Sequence, residues 1–377
     1  MLVGAGAVAG LVATLGTAGA MWLTYQPGRQ GSFTATEVLG TLQRNRGLLG
    51  DVESRSAQVT PYLRNLLALS TALETKYAAG VLESDPALRV LFVSDIHGGN
   101  QYALMRTIVQ DESIDVVVDA GDLLNFGTVA EGEAAGIFTG IASVAVPYLF
   151  VRGNHDATSA TDTAVLDRLA EIDNVVLLQP SGEEYTEVSV GGVRVAGFND
   201  PRWFGDSGRG SPAKQQPARA TFEAAFAGRD APDVLVSHEP WAVSGLTAGV
   251  LLNGHMHSTD LEGNRVQTGS FTGGGPFTHF VPDAPGQELV GQPSSFEVLT
   301  FGADCMLSSL TRFRFRDVIE GRPAYDDVSL VNGRRIDDRE ASPTRTCEPG
   351  APLSRTTVRA AVPPDAPPAG QRANDGP

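Results

Sequence analysis

The chain reads as an α/β protein whose strands are buried on both faces, and three observations carry that reading. After Asp85-Pro86, short apolar runs alternate with helical stretches. Five of those runs, 90–93, 116–118, 148–151, 234–236 and 250–252, are continuously apolar, as strands covered by helices on both sides must be. Each run leads directly into a polar cluster, and open α/β sheets keep their ligand sites beyond the carboxyl ends of the strands. The composition agrees: 42% hydrophobic and 19% charged residues in 377, with 43 Gly and 23 Pro, exclude a coiled-coil rod or a wholly disordered chain.

Taken in order, residues 1–27 form an expected membrane anchor or export segment, because no charge occurs from Leu2 to Tyr25 and about 20 apolar residues cross a bilayer. No basic residue precedes it, so an anchor is favoured over a cleaved signal despite the Ala18-Gly19-Ala20 triplet. Within it, the glycine-rich run from Gly4 matches a dinucleotide fingerprint only in letters, since no strand precedes it. Residues 28–88 are predicted to be a helical stalk, with Val59, Leu63, Leu66, Leu73 and Tyr77 at helical spacings and Pro61 suited to a first turn. Residues 89–335 are expected to form the catalytic domain. Residues 336–377 read as a disordered tail: from Ala341 onward the chain holds eight of the 23 prolines and no Phe, Tyr, Trp or Ile.

With 28 Lys+Arg against 44 Asp+Glu the net charge is −16, which gives no basic footprint and argues against nucleic acid as a partner. A small anionic substrate remains compatible, because bound divalent cations reverse the local potential. The two cysteines, Cys305 and Cys347, fit no zinc spacing. In an exported chain they could form one disulfide; in a reducing compartment two unrelated thiols are the expected reading, and the sequence leaves both open.

The polar clusters are Ser94-Asp95-Ile96-His97, Gly121-Asp122, Gly153-Asn154-His155-Asp156, Ser237-His238-Glu239-Pro240 and Gly254-His255-Met256-His257. Five of the six histidines in the chain fall in them. Imidazoles, carboxylates and one amide oxygen suit borderline divalent ions such as Zn, Mn or Fe. The set is too large for one tetrahedral ion and sufficient for two that share a carboxylate.

The order Asp-x-His, Gly-Asp, Gly-Asn-His-Asp, His, Gly-His-x-His resembles the calcineurin-like metallophosphoesterase superfamily over about residues 89–275. The resemblance implies a four-layer αββα sandwich and hydrolysis of a phosphate mono- or diester by a metal-bridging hydroxide. It implies two divalent ions, one held by Asp95, His97, Asp122 and His257, the other by Asp122, Asn154, His238 and His255. His155 would face the leaving group as its proton donor. Read from the residues, Asp156 is a second catalytic candidate that orients His155, or else a cap for the next helix. Leu123-Leu124-Asn125 after Gly121-Asp122 sets the chain apart from the Ser/Thr protein phosphatase branch, while Thr268-Gly269-Ser270 and Gly273-Gly274-Gly275 look more like membrane-associated bacterial members. Such a protein would be membrane-associated with its catalytic domain outside the cytoplasm.

Beyond the motif, Arg202 could clamp a substrate phosphate bidentately, although an exposed loop arginine is its default reading. The alternatives are a metallo-β-lactamase-type hydrolase, which fails because Asp260 stands three places after His257, and a catalytically inert membrane-tethered scaffold, which loss of a ligand would favour and no loss supports.

Overall fold

The computed structural model describes residues 86–206, 212–274, 280–282 and 289–359. The expected anchor over 1–27 and the body of the stalk over 28–88 lie outside these residues. Among the described residues, no helix is long and apolar enough to cross a membrane.

From the first apolar run onward the chain alternates as its pattern predicts. Strand β1 (Leu88–Val93) is followed by helix α1 (Tyr102–Asp111), β2 (Val116–Asp119), α2 (Val129–Ala135), α3 (Ile137–Ala142), β3 (Tyr148–Phe150), α4 (Ala164–Ala170) and β4 (Val175–Leu177). Then come β5 (Glu184–Val190), β6 (Val193–Gly197), α5 (Pro212–Phe226), β7 (Val234–Val236), α6 (Pro240–Val243), β8 (Val250–Asn253), β9 (Asp260–Glu262) and β10 (Arg265–Gln267). A short pair, β11 (Phe280–Pro282) and β12 (Leu289–Gly291), precedes β13 (Ser294–Phe301), β14 (Leu307–Ile319), β15 (Arg322–Asn332) and β16 (Ser354–Arg359). Thr128 caps α2 by accepting from the Glu131 amide, and Glu239 does the same for α6 from Ala242, with Pro240 in the first turn.

These strands make two seven-stranded sheets, ordered β15-β14-β13-β1-β2-β3-β4 and β16-β5-β6-β7-β8-β10-β9. The strands that carry the motifs pair in parallel, β1 with β2 and β2 with β3 in one sheet, β7 with β8 in the other, so their carboxyl ends share a direction within each sheet. Strand alternation sorts the apolar side chains into layers. Val90, Phe92, Val116 and Val118 pack with Val195, Val234, Val236 and Val250 between the sheets. Leu91, Val93 and Val117 face the helices through Met105, Ile108, Phe138 and Leu169. On the other sheet's outer face, Leu235 and Leu251 meet Phe222, Ala242 and Val243. Each fully buried Val, Leu or Phe contributes about 1.5–3 kcal/mol relative to exposure, which is why these runs tolerate no charge.

The expected disordered tail over 336–377 is corrected in its described part. Residues Ser354–Arg359 form β16, which pairs antiparallel with β5 from Ser354↔Ser189 to Arg359↔Glu184 and closes one edge of the second sheet. Ile336 and Asp337 are buried, and Cys347 is disulfide-bonded to Cys305 with Cα atoms 5.2 Å apart. Arg345 donates to both carboxylate oxygens of the buried Asp233, at 2.9 and 2.6 Å. The proline average over the segment hid a six-residue strand whose Thr-Thr-Val core suits a sheet edge. The folded unit therefore runs past 335 to at least Arg359.

Candidate metal centre

The site is assembled from loops that leave β1, β2, β3, β7 and β8. Its backbone is unusual before any side chain is considered. Eight non-glycine residues among those described have positive φ, and five of them are Asp95, His97, Asp122, His255 and His257. A left-handed conformation costs a non-glycine residue on the order of 1–3 kcal/mol, and it persists only where surrounding structure enforces it. Gly121, at φ +100°, packs against Gly153, and a Cβ at Gly254 would collide with Ser94 Oγ and Asp95 Oδ2. Gly121 and Gly153 thus let neighbouring loops of one sheet approach closely, and Gly254 does the same for loops of the two sheets.

The side chains gather into two clusters, Asp95 with His97 and His257, and Asp122 with His238 and His255. In the first, His97 Nε2 lies 3.0 Å from His257 Nε2, and His257 Nε2 lies 3.1 Å from Asp95 Oδ1. In the second, His238 Nε2 lies 3.1 Å from His255 Nδ1 and 3.1 Å from Asp122 Oδ2. Asp122 Oδ2 is also 3.8 Å from His97 Nε2, so this oxygen stands between the clusters. Backbone carbonyls fix the ring tautomers. His97 Nδ1 donates to Leu124 O at 3.2 Å and His238 Nδ1 to Ala120 O at 2.9 Å, leaving each neutral ring with its Nε2 lone pair aimed into the cluster. Lone pairs and carboxylate oxygens directed at one another repel unless protons or cations lie between them.

The electrostatics express that demand. Burial alone would raise the Asp95 carboxyl, but His257 and His97 hold it well below the usual range. Burial disfavours a charged His238, yet Asp122 and Asp95 pull it up to about 10. Burial, His238 and Arg202 push His255 down to about 4, which keeps that ring neutral as ligation requires. Asn154 Oδ1 is buried without a hydrogen-bond partner. Imidazole nitrogens, two carboxylates and an unpartnered amide oxygen form a donor set that fits two borderline divalent ions.

His155 is half-buried at the edge of this set. Its amide donates to Asp122 Oδ1 at 2.7 Å and its Nδ1 to Asn125 O at 2.7 Å, and its ring stands edge-on to His97 with centroids 5.0 Å apart. Asp156 departs from its sequence reading. It neither orients the His155 ring nor caps a helix: it is buried, Oδ2 accepts from the amides of Asp122 and Gly153, and Oδ1 accepts from that of Leu124. It holds the ligand loops together. Arg202 is not the exposed loop residue of its default reading. It is 4% exposed, donates through Nε and Nη2 to Asp200, and brings Nη1 to 3.4 Å from His255 Nε2. Gln215 in turn donates to Asp200. Asp260 opens β9, exposed and paired with Arg265, which removes it from the site.

Several supporting residues have no motif of their own. Asn125 orients His155 through its carbonyl and braces the His97 carbonyl through Nδ2 at 2.8 Å. Glu131 accepts from the amides of Asn125 and Phe126. Ser270 Oγ donates to Asp95 O at 2.6 Å and Thr272 Oγ1 to Ile96 O at 2.8 Å, a role that gives the Thr268-Gly269-Ser270 segment its place. Only their position in or beside a motif block signals them.

The calcineurin-like phosphoesterase family model matches residues 88–259, a segment that spans all five motif blocks. The two ligand clusters fit the dinuclear divalent site that this family model implies. No curated protein matches the chain. Among solved structures it is similar to a dimetal phosphatase from Danio rerio (10% identity, 66% of this chain and 100% of that one, TM-score 0.41). It is also similar to GAP50 of Plasmodium (14%, 65% and 88%, 0.42) and a purple acid phosphatase from yellow lupin (15%, 66% and 55%, 0.40).

Proposed function

We propose that the protein hydrolyses a phosphate mono- or diester at a dinuclear divalent metal site. The observation that carries this reading is the pair of ligand clusters joined by Asp122 Oδ2, with ring lone pairs turned inward by backbone carbonyls. Asp95, His97, His257 and Asp122 would hold one ion, and Asp122, Asn154, His238 and His255 the other. When bound, two such cations lower the pKa of water, supply the nucleophile and neutralise the phosphoryl oxygens, so no Ser or Cys nucleophile is needed.

The chain's own residues complete the reaction. His155 Nδ1–H hydrogen-bonds to Asn125 O, which leaves Nε2 as the nitrogen from which the cationic ring can pass a proton to the departing alkoxide. Arg202, anchored by Asp200, presents a guanidinium beside His255 that attracts a phosphoryl oxygen. Asp156, through the three amides it accepts from, keeps Asp122 and His155 in register.

The test is metal analysis of the purified protein combined with hydrolysis of generic phosphomonoesters and phosphodiesters. Two ions per chain and ester hydrolysis abolished by chelation support the reading. Fully loaded protein inert on every phosphate ester would leave the scaffold alternative. The Cys305–Cys347 bond supports an oxidising, extracytoplasmic location for this domain, which protease shaving of intact cells tests.

A further inference from the structure

Among the described residues seven large apolar side chains are exposed, and they fall into two groups. Val318, Ile319, Tyr325 and Val328 are on the β14–β15 hairpin. Phe126, Phe204 and Met256 adjoin the metal-site loops at 42%, 40% and 53% exposure. Met256 separates the two ligands His255 and His257. Phe126 follows Asn125, whose carbonyl holds His155. Phe204 is tethered beside the same loop, its amide donating to Ala157 O at 2.9 Å.

The rings form an arrangement. Phe126 and Phe204 meet edge to face, centroids 5.3 Å apart and planes at 84°. Phe204 also leans on the His155 ring, centroids 5.6 Å apart and planes at 49°. His155, in turn, stands against His97. A continuous succession of rings thus leads outward from a metal-ligand cluster, past the histidine assigned to the leaving group, to a perpendicular pair of phenyl rings at the surface. Two exposed phenylalanines cost hydration free energy with nothing gained in the core. Perpendicular rings present one face and one edge, the two surfaces that a third aromatic ring contacts favourably. The chain's net charge of −16 disfavours an anionic membrane or nucleic-acid backbone as the occupant of this corner.

We propose that Phe126 and Phe204 form the leaving-group subsite, and that it selects phosphate esters whose leaving group carries a flat aromatic body, as an arylalkyl alcohol or a nucleoside does. The proposal rests on the phosphoesterase reading above, because that reading places the leaving group at His155. Selectivity then arises outside the motif blocks, on the loop after the second ligand strand and on the loop after β6.

The experiment compares 2-(naphthyl)ethyl phosphate with ethyl phosphate and with decyl phosphate, all alkoxide leaving groups, on wild-type protein, F126A, F204A and F204L. Calorimetric binding of the corresponding phosphonates, which cannot be hydrolysed, is measured alongside. The expected result is a preference of about tenfold or more for the naphthyl ester in kcat/KM and for the naphthyl phosphonate in Kd, lowered about 3- to 10-fold by F204A, F126A and F204L. I319A, on the hairpin, keeps the wild-type preference. Hydrolysis of all three esters with no aromatic preference, or a preference unmoved by the Phe variants, overturns the subsite and leaves the phosphoesterase reading standing. A stronger preference for the decyl compounds, retained in F204L, overturns the aromatic assignment in favour of an alkyl chain. Loss of the reading itself looks different: no ester is hydrolysed by metal-loaded protein, while the phosphonate preference and its sensitivity to F204A persist.

Discussion

The Nδ1 atom of His155 lies 2.7 Å from the carbonyl oxygen of Asn125, a bond that fixes both the tautomer and the direction of the ring. A backbone carbonyl accepts and never donates, so Nε2 carries a proton only when the ring is cationic, which is the form a general acid needs. His155→Ala should therefore retain its metal ions and lose roughly 10²–10⁴ in rate on an alkyl ester, with a smaller loss on a nitrophenyl ester whose leaving group needs no proton. Steady-state rates on both esters, together with metal content, check this. Equal losses on the two, or loss of metal, would remove His155 from the proton-donor role.

Asp122 should behave differently, because one of its oxygens stands between the clusters while the other accepts from the His155 amide. Asp122→Asn should bind clearly fewer ions than the wild type, whereas His257→Ala should lose occupancy mainly at the cluster containing Asp95 and His97. Elemental analysis after dialysis against limiting Zn or Mn reads both. Because the ions bind the folded state, chelation should also lower the unfolding temperature of the wild type more than that of either variant. Unchanged occupancy in Asp122→Asn would rule out a shared ligand.

A third expectation concerns pH and stability. Burial raises the carboxyl of Asp119 well above its ordinary value, against the opposing hydrogen bonds from Tyr148 and the Gly121 amide. For a carboxyl raised in the folded state, the two states bind protons alike below about pH 4. Above that the unfolded chain releases its proton while the folded chain retains one, so this group's contribution to stability falls as pH rises until the folded carboxyl itself titrates. Asp119→Asn keeps an acceptor for Gly121 and a polar partner for Tyr148 but cannot titrate. Relative to wild type it should become more stable with increasing pH, by about 1.4 kcal/mol for each unit by which the pKa is raised. Denaturant unfolding of both proteins at pH 4.5, 6 and 8 checks the trend, and a difference that stays flat across that range would mean Asp119 is ionised throughout.

The parts of the fold legible in the sequence are those fixed by strong local rules. Runs such as 116–118 fit doubly covered strands, and the residues that follow them then fall at the carboxyl ends, which brings Asp95, Asp122, His238 and His255 together without coordinates. What escaped depends on partners distant in sequence. Asp156 sits in a motif block and looks chemical, yet its oxygens are taken by amides 3, 32 and 34 residues away. Arg202 reads as a loop residue because its neighbour Asp200 is held by Gln215, 15 residues on, and its guanidinium reaches His255, 53 residues on. β16 was lost because a composition average is blind to six residues that find a complementary edge, and the Cys305–Cys347 pairing is a tertiary fact that spacing alone left open.

That bond leads to the last prediction. Cys305 and Cys347 are 42 residues apart, both are buried in the layer between the sheets, and the enclosed loop contains the whole β14–β15 hairpin. Cross-linking a loop of this length removes chain entropy from the unfolded state and stabilises by about 2–5 kcal/mol. The tail is also held by Arg345 on the buried Asp233 and by the β16 pairing with β5, so loss of the bond should loosen the segment rather than release it. Replacing both cysteines by Ala should lower stability by about that amount, and reductant should lower the wild type toward the double variant while leaving the variant unmoved. Thermal or denaturant unfolding with and without reductant is the measurement. Hydrogen exchange should localise the change to residues around 303–307 and 345–359, with the amides of the ligand loops keeping their protection. Equal reductant sensitivity in the double variant, or no loss of stability on removing the cysteines, would show that the tail is held by its ion pairs and strand pairing alone.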